Sequence, residues 1–170
     1  MNSEQVELSK KLILSPTKVV PEIDKFNMWM LAGSGATAAL LVSNLAGITS
    51  ALESGAASWL FALLAISGLF VFLAKLCCIR VQSSTIVMGH VEDALQSSDN
   101  VDVKSALNDF LSVFPFWARL AGRNASKKAK DDPLYGVRIV ARHAIYQGIY
   151  TLLQGLTFIL FIVVASLGIK

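Results

Sequence analysis

FNMWMLAGSGATAALLVSNLAGITSAL (residues 26–52), SGAASWLFALLAISGLFVFLA (54–74) and HAIYQGIYTLLQGLTFILFIVVASLGI (143–169) contain no Asp, Glu, Lys or Arg. A bilayer core about 30 Å thick is crossed by about 20 helical residues rising about 1.5 Å each. A charge at the centre of such a helix costs about 2.5–3.5 kcal/mol on insertion scales, so charge-free runs of this length are the mark of spanning helices. The expected fold class is an all-α integral membrane protein with three transmembrane helices. An N-terminal antiparallel hairpin comes first and a long C-terminal helix last, with a cytoplasmic amphipathic helical segment between them.

Working outward, the rest of the chain supplies the charge that the spans lack. Of 170 residues, 54% are hydrophobic and 16% charged, against about 25% charged in a soluble domain. Residues 1–25 and 80–142 are close to normal in charge. The central segment is marginal for an independent core and is expected to lean on the membrane or on a partner subunit. The net charge of +3 fits cytoplasmic loops. Cys77 and Cys78 are adjacent, which disfavours an ordinary disulfide between them. With no Cys-x-x-Cys or Cys/His spacing, no metal or other cofactor is expected. The two are expected to be reduced thiols at the inner end of a span, with lipidation as the alternative. The first apolar run is too long for the h-region of a cleaved signal and is expected to be retained as a span.

Four segments follow. Residues 1–27 form a cytoplasmic N-terminal segment in which Pro16 and Pro21 are expected to break a short amphipathic helix. Residues 28–79 form a transmembrane helical hairpin, with spans near 28–50 and 57–79. The connection at 51–56 is short enough to force them antiparallel. Residues 80–132 form a cytoplasmic helical segment, and 133–170 a long helix carrying the third span. Asp132-Pro133 predicts the start of that last helix, with Asp as N-cap and Pro at the first helical position. Lys10, Lys11, Lys18 and Lys25 lie before the first span, nine Lys and Arg lie between 80 and 142, and the first turn holds none. The positive-inside rule then predicts a multi-pass protein of the inner (plasma) membrane, with the N-terminus cytoplasmic and the C-terminus outside. Lys75, close to the inner surface, is expected to snorkel toward it.

Trp29 and Trp59 stand at the ends of spans one and two, where aromatic side chains anchor at the headgroups. Residues 101–121 have apolar positions at helical spacing. Trp117, Arg119 and Arg123 there, with Lys127, Lys128 and Lys130 after them, predict interfacial anchoring on anionic lipid. The alternative is a small cytoplasmic bundle with Val87, Val91 and Leu95. No recognition module accompanies the basic loop, so nucleic acid is not an expected partner. Asn124-Ala125-Ser126 matches a glycosylation acceptor that the expected cytoplasmic side leaves unused.

Gly35, Ala39, Ser43 and Gly47 recur every fourth residue in span one. Small residues let helix backbones approach closely in lipid, where van der Waals contact drives association. This stripe is the candidate packing seam, either against the other spans of the chain or between copies. Gln147 and Gln154 give span three a polar face, expected to point into a bundle as hydrogen-bonding glue or toward a pore. No charge lies near a span centre, and no inverted repeat is visible, which argues against a secondary transporter or proton pump.

Residues 138–143, Arg-Ile-Val-Ala-Arg-His, place Arg138 and His143 in an Arg-x4-His spacing that resembles the short signature of HEPN-type ribonucleases. The resemblance covers six residues and implies RNA cleavage by that pair. No cluster of His, Asp or Glu at an interface accompanies it, and His90 with Glu92 and Asp93 is a solvated helix face. The chain is therefore expected to be non-enzymatic. The expected role is a binding, anchor or immunity-type subunit acting through helix packing in the bilayer, with another copy or a membrane protein as partner. The alternative is an oligomeric pore-forming or membrane-perturbing protein.

Overall fold

The computed structural model describes residues 3–52, 55–97, 105, 109, 112, 113, 116, 128, 132 and 134–168. Its helices are α1 (Ser3–Leu14), α2 (Val20–Ser43), α3 (Leu45–Ala51), α4 (Ala56–Ser97) and α5 (Tyr135–Leu167), with a 3-10 turn at Ser15–Val19. No β-strand forms among the described residues. Among the described residues, three helical stretches are long and apolar enough to cross a membrane: Glu4–Ser43, Ala56–His90 and Tyr135–Leu167. The described fold is helical and that of a membrane protein, with as many as three passes.

Local chemistry sets the helix ends, in places differently from expectation. Pro21 falls in the first turn of α2, where the N–H that proline lacks has no intrahelical acceptor. It therefore starts the helix, at Val20, and the first apolar helix is longer than the span expected from residue 28. Pro16 does end α1, in the 3-10 turn, where the Thr17 hydroxyl donates to the Leu14 carbonyl at 2.7 Å. Asn44 divides the first span. Its backbone takes φ −113°, ψ 24°. Its N–H and its side-chain Nδ2 both reach the Leu40 carbonyl, at 3.2 and 3.1 Å, a side chain competing with the helix ladder. Gly55 turns the chain into α4 with φ +98°, a conformation that a Cβ disfavours. At the start of α5 the Asp132 carboxylate accepts the Leu134 N–H at 3.0 Å and the Arg138 guanidinium at 2.8 Å. Asp132 thus does cap this turn, and regular helix begins at Tyr135.

The chain divides into two compact units, and α4 and α5 contribute to both. In the unit of residues 1–17 and 81–142, Val81, Leu134, Val137 and Val140 are buried. Met88 Cε lies 3.4 Å from where a Cβ on Gly136 would stand, and the Lys128 ammonium sits 5.7 Å from the Tyr135 ring centre. The amphipathic helix expected over 101–121 lies mostly outside the described residues; Val113 and Phe116 within it are exposed.

The unit of residues 18–80 and 143–170 is organised by a heptad. In α2 the buried residues are Val20, Asn27 and Ser34, seven apart. The series continues through Leu41 and, in α3, Ile48, which pack on the apolar cluster. In α4 the buried series is Leu60, Leu64, Ser67, Val71, Ala74 and Cys78. In α5 it is Ala144, Gln147, Thr151, Gln154 and Phe161, with Phe158 and Ala165 packed alongside. Alternate steps of three and four average 3.5 residues, a period that wraps helices in a left-handed supercoil. Contacts fix the register: Lys75 with Asp24, Gln147 with Val20, Phe70 stacked on Tyr150 at 6.5 Å, and Met30 against Gly155. One end is closed by Leu52, Leu60, Leu63, Leu64 and Phe161.

Gly168 sits at that closed end. A Cβ there would lie 2.9 Å from Ala56 Cβ and 3.0 Å from the Val164 carbonyl oxygen, and neither neighbour is the tip of a flexible side chain. Gly168→Ala is expected to lower stability by about 1–3 kcal/mol, read as a drop in the denaturation midpoint in lipid nanodiscs. Gly148→Ala, where the added Cβ meets nothing within 4 Å, is the control expected to leave the midpoint in place or raise it.

Candidate functional site

The heptad places side chains at inward positions regardless of their polarity. Several of those positions in this bundle are polar, and together they form a column. At one level the Lys75 ammonium donates to both oxygens of Asp24, at 2.8 and 2.7 Å. Asp24 keeps 18% of its side-chain surface exposed and Lys75 42%. Cys78, almost one turn further along α4, is buried and faces both the Asp24 carboxylate and the Gln147 amide. Gln147 Nε2 donates to the Val20 carbonyl at 3.4 Å, a long bond. Thr151, one turn on, donates to the Gln147 carbonyl at 2.8 Å.

Further toward the closed end come Ser67 and Gln154. Ser67 is eight residues from Lys75, about 12 Å along α4, and Gln154 is seven from Gln147, about 10 Å along α5. Gln147 and Gln154 are both 0% exposed. Among the described residues, six buried side-chain atoms make no hydrogen bond to the protein: Asn27 Nδ2 and Oδ1, Ser67 Oγ, Gln147 Oε1, and Gln154 Nε2 and Oε1. Each such group costs about 1–3 kcal/mol when left without any partner. Ser34, also buried, is satisfied by the Met30 carbonyl at 2.8 Å.

The other sequence-singled residues lie elsewhere. Gly35, Ala39, Ser43 and Gly47 are exposed, and a Cβ on Gly35 or Gly47 would meet nothing within 4 Å. The stripe begins one residue, about 100°, past the heptad face that α2 buries, and no described residue packs on it. Trp29 and Trp59 are exposed. Trp117, Arg119 and Arg123 lie outside the described residues. Arg138 and His143 do not converge. Arg138 pairs with Asp132 at 2.8 Å, whereas His143 Nε2 lies 3.3 Å from Arg80 Nη1 and its ring is edge-on to Tyr146. No group of three or more His, Cys, Asp or Glu that would hold a metal forms among the described residues.

Asp24, Lys75, Asn27 and Ser67 were missed by the sequence reading. Lys75, expected to reach toward the membrane surface, pairs with Asp24 just before the first charge-free run. The available signal was symmetry: Asp24 and Lys75 each lie just outside a charge-free run, on the same side of an expected hairpin. Comparison of the chain with protein-family models, with curated proteins and with solved structures gives no match.

Proposed function

We propose that the chain is a non-enzymatic membrane subunit that binds a partner helix within the bilayer, as an anchor or immunity-type component. The first two spans run as an antiparallel hairpin. The N-terminus and residues 80–132 face the cytoplasm, where the basic loop meets anionic lipid, and the C-terminus lies outside. The observation that carries this reading is the Gly35, Ala39, Ser43, Gly47 stripe. It is exposed and left unoccupied by the described helices, and it has the small-residue spacing through which helices associate in lipid.

The test uses Ser43→Cys in a Cys77→Ser, Cys78→Ser background, treated with a thiol cross-linker in native membranes. A discrete cross-linked species is expected, and adding Ala39→Leu is expected to reduce it at least tenfold. A cross-link that survives Ala39→Leu unchanged, or none at any position of the stripe, would remove the proposal. The second reading is an oligomeric pore, formed by copies joined through the same exposed stripe. It predicts rapid loss of membrane potential on induced expression, abolished by Ala39→Leu and visible with a voltage-sensitive dye.

A further inference from the structure

We infer that the interior of the unit of residues 18–80 and 143–170 is a water-binding site. In it a file of bound water joins Asn27, Gln147, Ser67 and Gln154, meets the Asp24–Lys75 pair at one end, and is stopped at the other by the apolar cluster around Phe161. This inference is independent of the exposed stripe.

The argument is one of hydrogen-bond inventory. Asn27 and Gln154 each bury an amide nitrogen and a carbonyl oxygen with no protein partner, while Gln147 Oε1 and Ser67 Oγ are likewise unpaired. Each free amide brings two donors and an acceptor with two lone pairs. Gln147 and Gln154 are about 10 Å apart along α5, too far to satisfy each other. Ser67 brings a single hydroxyl, which cannot satisfy both ends of Gln154 at once. Thr151 Oγ1 already donates to the Gln147 carbonyl. Asn27 and Gln154 each lie seven residues on from the Val20–Gln147 contact, and even paired with each other they would leave donors and lone pairs over. The group that both donates and accepts, and makes about three bonds, is water. Lipid tails offer no such bonds.

Location supports the same assignment. The unpaired atoms come from α2, α4 and α5, all at inward heptad positions, so they border one interior. The column runs to the Asp24–Lys75 pair, whose lysine is 42% exposed and whose charges attract water from the interface. It stops where the interior becomes Leu60, Leu63, Leu64 and Phe161, which offer water nothing to bind. The water would also solvate the Asp24–Lys75 pair from within, lowering the cost of holding those charges in a bundle.

The full-length protein, isotope-labelled in phosphatidylcholine and phosphatidylglycerol bilayers, tests this by solid-state magnetic resonance with magnetisation transferred from water. The side-chain amides of Gln154 and Asn27 are expected to gain water magnetisation within twofold of the rate of the exposed Arg80 guanidinium. Leu64 and Phe161 are expected to lag at least fivefold. Ser67→Val, which keeps the shape and removes the hydroxyl, is expected to slow the transfer to Gln154 at least twofold and leave that to Lys75 unchanged. A Gln154 amide as slow as Leu64 in the wild-type chain would overturn the inference. So would a Ser67→Val protein, folded by its unchanged Lys75 signal, in which the Gln154 rate does not move.

Discussion

Lys75→Met, with Asp24 kept, lowers the stability of the folded bundle by about 2 kcal/mol, between the values for an exposed ion pair and a fully buried one. The cause is the carboxylate left behind. Asp24 is mostly buried, and both its oxygens are held by the ammonium at 2.8 and 2.7 Å. Without that cation, a buried charge has no counterion. The converse change is milder. Asp24→Asn frees a lysine that is already 42% exposed and has a long stem with which to carry its charge toward water; a loss of about 1 kcal/mol is expected. The double variant Asp24→Leu, Lys75→Met removes both charges and is expected to lie near the wild type, because replacing a buried pair with apolar groups is often neutral. Denaturant titrations of the four proteins in one lipid mixture give the cycle. Equal losses for Lys75→Met and the double variant would show that the pair does not hold this level together.

Phe161→Ala is the second large effect. Phe161 is buried in the apolar end with Leu52, Leu60, Leu63 and Leu64 and stacks on Phe158 at 5.8 Å. In a water-soluble core such a truncation costs about 3–5 kcal/mol, from lost transfer energy and from the cavity left behind. Here the transfer part is small, since lipid tails are as apolar as the core, and packing carries the loss. About 2–3 kcal/mol is expected, on the cavity part of the same scale. Ile162→Ala, one residue on and half exposed, faces outward and is expected to change stability by less than about 0.5 kcal/mol. Matched unfolding midpoints for the two variants would mean that Phe161 does not lie in a packed core.

The spans were legible because a long charge-free run has one physical explanation. The inward face was not, because span one carries two superimposed patterns. The repeat Gly35, Ala39, Ser43, Gly47 is conspicuous because its residues are alike. The heptad Val20, Asn27, Ser34, Leu41, Ile48 mixes apolar and polar types and declares itself only through burial and packing. Pro21 was misjudged because proline both ends helices and starts them, and its position relative to Val20 decides which. The Asp24–Lys75 pair joins residues 51 apart in sequence, beyond the reach of any local pattern. Gln147 and Gln154 stood out as polar residues in an apolar helix, but their depth and their unpaired atoms came with the fold.

The polar heptad layers also bear on how the protein is made. Asn27, Ser67, Gln147 and Gln154 lie on three different helices, so no helix can shelter its own amides or hydroxyl from lipid as it leaves the ribosome and enters the bilayer. Until α5 packs against them, the inward faces of α2 and α4 lack their third wall. Docking of α5 therefore completes the burial of Asn27 and Ser67 as well as of its own Gln147 and Gln154.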